Sequence, residues 1–295
     1  LNFLIGGRVD KHNMMKNVVF SPRVNVRYSP TEKIGLRASY SSGYRAPQAY
    51  NEDLHIDALD NKVAIIRLAP DLKPEYSHSL SASVDLYHNF GRVQANLLVE
   101  GFYTMLEDVF TLEKIGEDAQ GNIIKERRNA SGATVAGVGA EAKAGIPGRF
   151  ELQLGYTFQR SRYDEPEKWS DDVTPQRRIF RSPDHYGYLT VNVNLTRDFT
   201  ASVFGNYTGR MLVQHNAGYI ERDTERLTPD FWDMGLRLSY NFRLTKQLRL
   251  ELNAGVKNLF DSFQKDLDFG QNKDAAYIYG PAVPRTYFIG AKFAL

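Results

Sequence analysis

Apolar side chains recur at every second position over long stretches of this chain. Between Trp232 and Leu244 the even positions are Trp232, Met234, Leu236, Leu238, Tyr240, Phe242 and Leu244; the odd positions are Asp233, Gly235, Arg237, Ser239, Asn241 and Arg243. Strand side chains point alternately to opposite faces, so such a segment carries one apolar face and one face that is polar or bare. Leu248–Val256, Phe150–Phe158, Ala136–Ile146, Leu80–Leu86 and Ile34–Tyr40 repeat the pattern, Leu1–Asp10 and Phe199–Thr208 less cleanly. No sustained helical period is present. The count is about twelve strands of about 10–16 residues, longer than the five or six of ordinary globular strands and long enough for a tilted strand to cross a hydrocarbon layer. A soluble β-sandwich also alternates, but with shorter strands.

Composition narrows the classes. The 37 Lys and Arg nearly balance the 35 Asp and Glu, which excludes the basic excess of a nucleic-acid binder. The absence of Cys removes disulfide frameworks and thiolate metal sites. No run of about 18 apolar residues offers a membrane helix, yet alternation hides a barrel's apolar face from such a test. The 17 Tyr and 17 Phe suit a barrel with aromatic girdles. No signal peptide is visible at Leu1, and strand-like sequence starts at once; the reading expects a segment of something longer.

Loop lengths alternate strictly. Residues 29–32, 89–91, 147–148, 197–198 and 245–247 read as tight turns, whereas residues 44–75, 112–122, 164–183, 215–229 and 265–283 read as long connections. Outer-membrane barrels have short periplasmic turns and long extracellular loops, a sorting that a sandwich does not require. Tyr287, Ile289, Ala291, Phe293 and Leu295 alternate in a last strand that would face lipid and resembles an outer-membrane assembly signal, although it ends in Leu rather than Phe.

The motifs Gly43-Tyr44-Arg45-Ala46-Pro47, Ala69-Pro70-Asp71-Leu72-Lys73-Pro74-Glu75, Asn258-Leu259-Phe260-Asp261 and Gly280-Pro281-Ala282-Val283-Pro284-Arg285-Thr286-Tyr287 stand in an order that resembles the C-terminal barrel half of TonB-dependent outer-membrane receptors, especially those of Bacteroidetes. The likeness covers essentially residues 1–295. It implies an all-β transmembrane antiparallel barrel, here as the last part of a plugged barrel of about 22 strands. It also implies a bacterial outer-membrane location, with the plug, the energy-coupling box and the first strands outside this chain. Its implied partners are the TonB energy-coupling protein, the remainder of the receptor, outer-membrane lipid and lipopolysaccharide, and a surface lipoprotein. An open half-barrel would leave two bare edges in lipid, so the rest of the barrel is expected to pair with both.

Candidate ligand contacts lie in the long connections. In haem receptors a histidine stands between boxes like those here; His55 occupies that interval, with Ala69 where an Asn would be, beside Tyr44 and Arg45. Histidine is a good axial iron ligand, although these boxes also occur in siderophore and cobalamin receptors. Trp169, Arg177, Arg178 and Phe180 combine bidentate cations with aromatic surface suited to an anionic chelate; lipopolysaccharide phosphates or pairing within the loop would use the same arginines. His215 and Tyr219 offer amphipathic rings at a strand tip. Asp266, Asp268 and Asp274 space carboxylates like the start of a calcium loop, but Tyr277 replaces its closing Glu, and no metal site or cofactor is expected. Gly-x-Ser-x-Gly, His-Glu-x-x-His and the P-loop are all missing, so catalysis is not expected. The expected function is energised uptake of a scarce metal chelate: an iron–siderophore, haem or cobalamin. A passive porin and a surface barrel that binds a protein are the alternatives.

Overall fold

A computed structural model describes residues 1–13, 15, 17–47, 65–119, 123–245 and 247–294. In chain order the strands are β1 (Asn2–Asp10), β2 (Val19–Thr31), β3 (Ile34–Arg45), β4 (Ile65–Leu68), β5 (Glu75–Phe90), β6 (Val93–Glu107), β7 (Phe110–Glu117), β8 (Ile123–Asn129), β9 (Ala133–Ile146), β10 (Phe150–Glu167), β11 (Gln176–Arg178), β12 (His185–Asn194), β13 (Phe199–Thr208), β14 (Leu212–His215), β15 (Thr224–Leu227), β16 (Phe231–Arg243), β17 (Arg249–Lys257) and β18 (Thr286–Ala294). Twelve of them form one antiparallel meander in the order β1-β2-β3-β5-β6-β9-β10-β12-β13-β16-β17-β18, and β11 adds to the end of β10. This is the transmembrane barrel sheet that the alternation predicts.

Register aligns the alternating apolar positions of neighbouring strands on one face, although Leu4, Leu98, Phe102, Phe204 and Phe288 stand on the other. One cross-strand row runs Val26, Ala38, Ala82, Gly101, Val138 and Phe158. Further along the sheet, Val203 opposes Leu236, Leu236 opposes Val256, and Val256 opposes Tyr287. These side chains stay open: Val138, Leu154, Leu238 and Leu252 are each at least 40% exposed, which water would penalise and acyl chains favour. The opposite face is polar and knitted by side-chain bonds. Ser39 and Ser81 share a hydrogen bond of 2.8 Å, Arg237 donates to Glu251 at 2.6 Å, and Lys143 reaches Glu141 at 2.5 Å. Tyr188 also donates to Glu141, and its ring lies across Gly155, where an added Cβ would overlap it. Gly148 turns β9 into β10 at φ +73°, a conformation that a side chain disfavours.

Five tight turns join the strands expected, but the first two fall at 32–33 and 91–92 rather than at 29–32 and 89–91, because the strands before them run further. The long connections are more ordered than expected, and their limits differ. The connection 112–122 is in fact 108–132 and carries the β7–β8 hairpin, against which β4 lies parallel to β8. The connection 215–229 widens to 209–230 and carries the β14–β15 hairpin. These strands are short and have no lipid face to impose alternation. The buried apolar cluster of Met211, Val213 and Tyr277, with Tyr279 against it, also lies in these connections rather than in the wall. A polar bore and a bare outer face leave the loops as the place where apolar groups are buried within the chain.

Candidate functional site

The long connections gather into two blocks at one rim of the sheet. The first is built on β3. Tyr44 opposes Tyr76, and Arg45 opposes Glu75, with the guanidinium 3.5 Å from its carboxylate and 5.3 Å from the centre of the Phe110 ring. The second box is tied down by β8: the Ala69 amide donates to Arg127 O at 2.9 Å. Asn129 accepts from the Lys73 amide at 2.8 Å and donates to Asp108 O at 2.7 Å. Both boxes are thus anchored loop ends. His55 lies outside the described residues.

The second block joins three connections. Trp169 donates from Nε1 to Glu225 at 3.0 Å, and its ring meets Phe180 edge-on at 6.3 Å. Ser170 donates to Asp223 at 2.6 Å, and the other oxygen of Asp223 accepts the Ala217 amide at 2.6 Å. The start of the 168–184 connection is thereby held on the β14–β15 hairpin. The segment between β17 and β18 closes over that hairpin from the other side. His215, 3% exposed, donates from Nε2 to Asp268 at 2.9 Å and stacks on Tyr277 at 3.6 Å. Asp274 accepts from the backbone and side-chain amides of Asn216 at 2.8 and 3.0 Å. Asp266 accepts from Arg226 at 3.0 Å, from Tyr277 at 2.9 Å and from Tyr279. Arg181 donates to the Ile278 carbonyl at 2.7 Å and to that of Ala276.

Electrostatics follow the packing. Burial pushes the Asp266 carboxyl up, but hydrogen bonds from Tyr279 and Tyr277 hold it, on balance, below its ordinary value. Burial pushes the Tyr277 and Tyr279 hydroxyls up, and in each the bond to Asp266 adds to the rise. The three aspartates that resemble a calcium loop are each engaged by protein donors, and among the described residues no group of three or more His, Asp or Glu is placed to hold a metal ion.

The structure therefore brings Trp169, Phe180 and His215 into one block and leaves Tyr44 and Arg45 in another. Tyr219 stands at the surface of the second block, 44% exposed, with its ring edge-on to Phe269 at 5.2 Å. Phe269 is 72% exposed and was not singled out by sequence; its signal is a large apolar ring inside a run of carboxylates and amides. Arg177 and Arg178 lie apart from this block. They line a cleft of about 440 Å³ beside β10 with Arg160, Ser161, Arg162, Gln176 and Asp184.

The model of the TonB dependent receptor-like β-barrel matches residues 1–259. The chain belongs to that family. It is similar to the siderophore receptor PirA from Acinetobacter baumannii, with 16% identity and a TM-score of 0.68 over 99% of this chain and 43% of that one. It is similar to the ferric enterobactin receptor PfeA from Pseudomonas aeruginosa, with 18% identity and a TM-score of 0.64 over 99% of this chain and 42% of that one. The ferripyoverdine receptor of Pseudomonas aeruginosa, solved with ferripyoverdine bound, gives 17% identity and 0.64 over 99% and 36%. This TonB-dependent receptor chain thus spans less than half the length of these solved receptors. No curated protein matches its sequence. The family places it in the bacterial outer membrane, and its members are transporters rather than enzymes.

Proposed function

We propose that residues 1–295 form the C-terminal part of the barrel of an energised importer for a ferric chelate, with siderophores as the favoured class. The carrying observation is the second rim block: three long connections locked by buried polar bonds, with Tyr219 and Phe269 left bare on top. Rigid exposed aromatics bind the flat, partly apolar body of a chelate at low entropic cost. Trp169, Phe180 and His215 act as positioning residues for that block, and Tyr44 and Arg45 for its neighbour. Solved proteins of similar fold are by name a siderophore receptor, a ferric-catecholate import receptor, a ferric enterobactin receptor and a ferripyoverdine receptor, which supports the class.

The energy comes from partners in this reading. The polar wall, with Glu141, Lys143, Tyr188, Arg237 and Glu251, faces a plug that yields when TonB pulls on it. The free edges of β1 and β18 pair with the remaining barrel strands, because open edges are not viable in lipid. Uptake of radio-iron as ferric catecholate or ferripyoverdine, measured in cells with and without TonB, tests the proposal. Binding that persists while uptake is lost without TonB is the expected result. Uptake unchanged by the loss of TonB, or steady ion conductance of the full receptor in a planar bilayer, overturns it in favour of a passive pore.

A further inference from the structure

The outward face of β10 changes character over four residues. Phe158 lies on the apolar face, Arg160 follows two positions on, and Arg162 two beyond that, opposite Arg178 of β11. Two cavities meet at Arg160. One is an apolar groove of about 890 Å³ crossing β2, β3, β5, β6, β9 and β10. Its floor is Ala38, Ala82, Gly101 and Ala136, and its flanks include Tyr40, Leu80, Tyr103 and Phe158. Small residues on four adjacent strands, between large ones, make a trough in a surface that lipid covers. The other is the 440 Å³ cleft holding Arg160, Arg162, Arg177 and Arg178 against the single carboxylate of Asp184. Asp184 answers Arg178 at 3.1 Å, and among the described residues Arg160 and Arg162 have no ion pair. Gln176 adds Nε2, a buried donor with no hydrogen-bond partner, to the same cleft.

We propose that this pair of cavities seats a phosphorylated glycolipid of the outer leaflet, its phosphate held by Arg160, Arg162, Arg178 and the Gln176 amide and an acyl chain laid in the groove. The height fits. The cleft lies at the long-loop end of β10, just beyond Tyr156 and Phe158 on the same face, where Tyr156 meets His185 at 2.7 Å, and headgroups lie beyond such girdles. Unpaired guanidiniums and a bare amide donor suit a phosphate better than a carboxylate-rich protein surface, because they offer several directed donors to clustered oxygens. The apolar groove leading into the same arginine favours a lipid over a free anion. The inference is independent of which ligand is transported.

Native mass spectrometry of the delipidated full receptor tests it, with bis-phosphorylated lipid A, its dephosphorylated form and inorganic phosphate added in turn. The intact protein is expected to retain lipid A. Arg160→Gln with Arg162→Gln should weaken retention by about tenfold or more, the loss of at least one charge-assisted contact. Ala82→Trp, which fills the groove from an exposed lipid-facing position, should weaken it independently and so guards against misfolding of the double variant. Equal retention of the dephosphorylated form, displacement of lipid A by inorganic phosphate, or a folded double variant or Ala82→Trp protein that keeps lipid A like the wild type each overturns the proposal.

Discussion

His215 shows how one residue at the rim acts through its neighbours. Its Nε2 meets Asp268, whose side chain is 2% exposed, and its ring covers Tyr277. Replacing it by Ala leaves that carboxylate buried with the Asp274 amide as its remaining named donor, a cost of about 1–3 kcal/mol. We expect His215→Ala to open the segment between β17 and β18 to limited proteolysis and to weaken chelate binding, while the heat-induced unfolding of the wall is unchanged. The same junction carries a pH signature. Asp266 titrates below its ordinary 3.8, so its bonds stabilise the junction above that value and are lost as pH falls through the depressed one. Tyr277 and Tyr279 titrate above their ordinary 10.0, so their contribution is complete below it and is lost as pH rises through the elevated values. Protease protection of residues 258–285 is therefore expected to be flat between about pH 5 and 9 and to fall at both extremes. This scale was the least legible in sequence. Asp266, Asp268 and Asp274 look like cation ligands in a linear reading, because Arg226, His215 and Asn216, which satisfy them, stand about 40–60 residues away. Phe269 was hidden inside the same polar run.

A strand of the wall is a simpler object, and its behaviour follows from which face a position serves. Leu238 is 40% exposed on the lipid side, opposite Ala201 and Ala254. Its neighbour Arg237 points into the bore and donates to Glu251 at 2.6 Å. Leu238→Arg is expected to cost up to about 2–4 kcal/mol, and Arg237→Leu less, because Glu251, a quarter exposed at 25%, keeps contact with water. Denaturant titration of the receptor refolded into vesicles checks the order. Sequence carried this scale well for strands that cross the bilayer: one face must be apolar and the other polar for about ten residues, and only period two satisfies that. β4, β7, β8, β14 and β15 escaped because strands of 4 to 8 residues above the membrane answer to neighbouring loops instead. The reading of residues 44–75 as one long connection likewise missed Ile65–Leu68, whose partner β8 lies in a different connection.

As a whole molecule, the chain is a sheet whose two faces meet different solvents, and its rim is where recognition is built. Topology was readable because short and long connections alternate, so consecutive strands pair across the sheet and every long connection reaches the same rim. The gathering of three of those connections into one locked block was not readable, since it rests on side-chain bonds between segments of different period and length. The account stands or falls on the two-faced wall. The sequence contains no Cys, so single Cys residues can be placed one at a time from 232 to 244, spin-labelled, and examined in the membrane-embedded receptor for collision with a lipid-soluble and a water-soluble quencher. The account predicts two opposed waves of period two, with positions 236, 238 and 240 reached from lipid and positions 237, 239 and 241 reached from water. Equal access to both sets, or a period near 3.6, would contradict it.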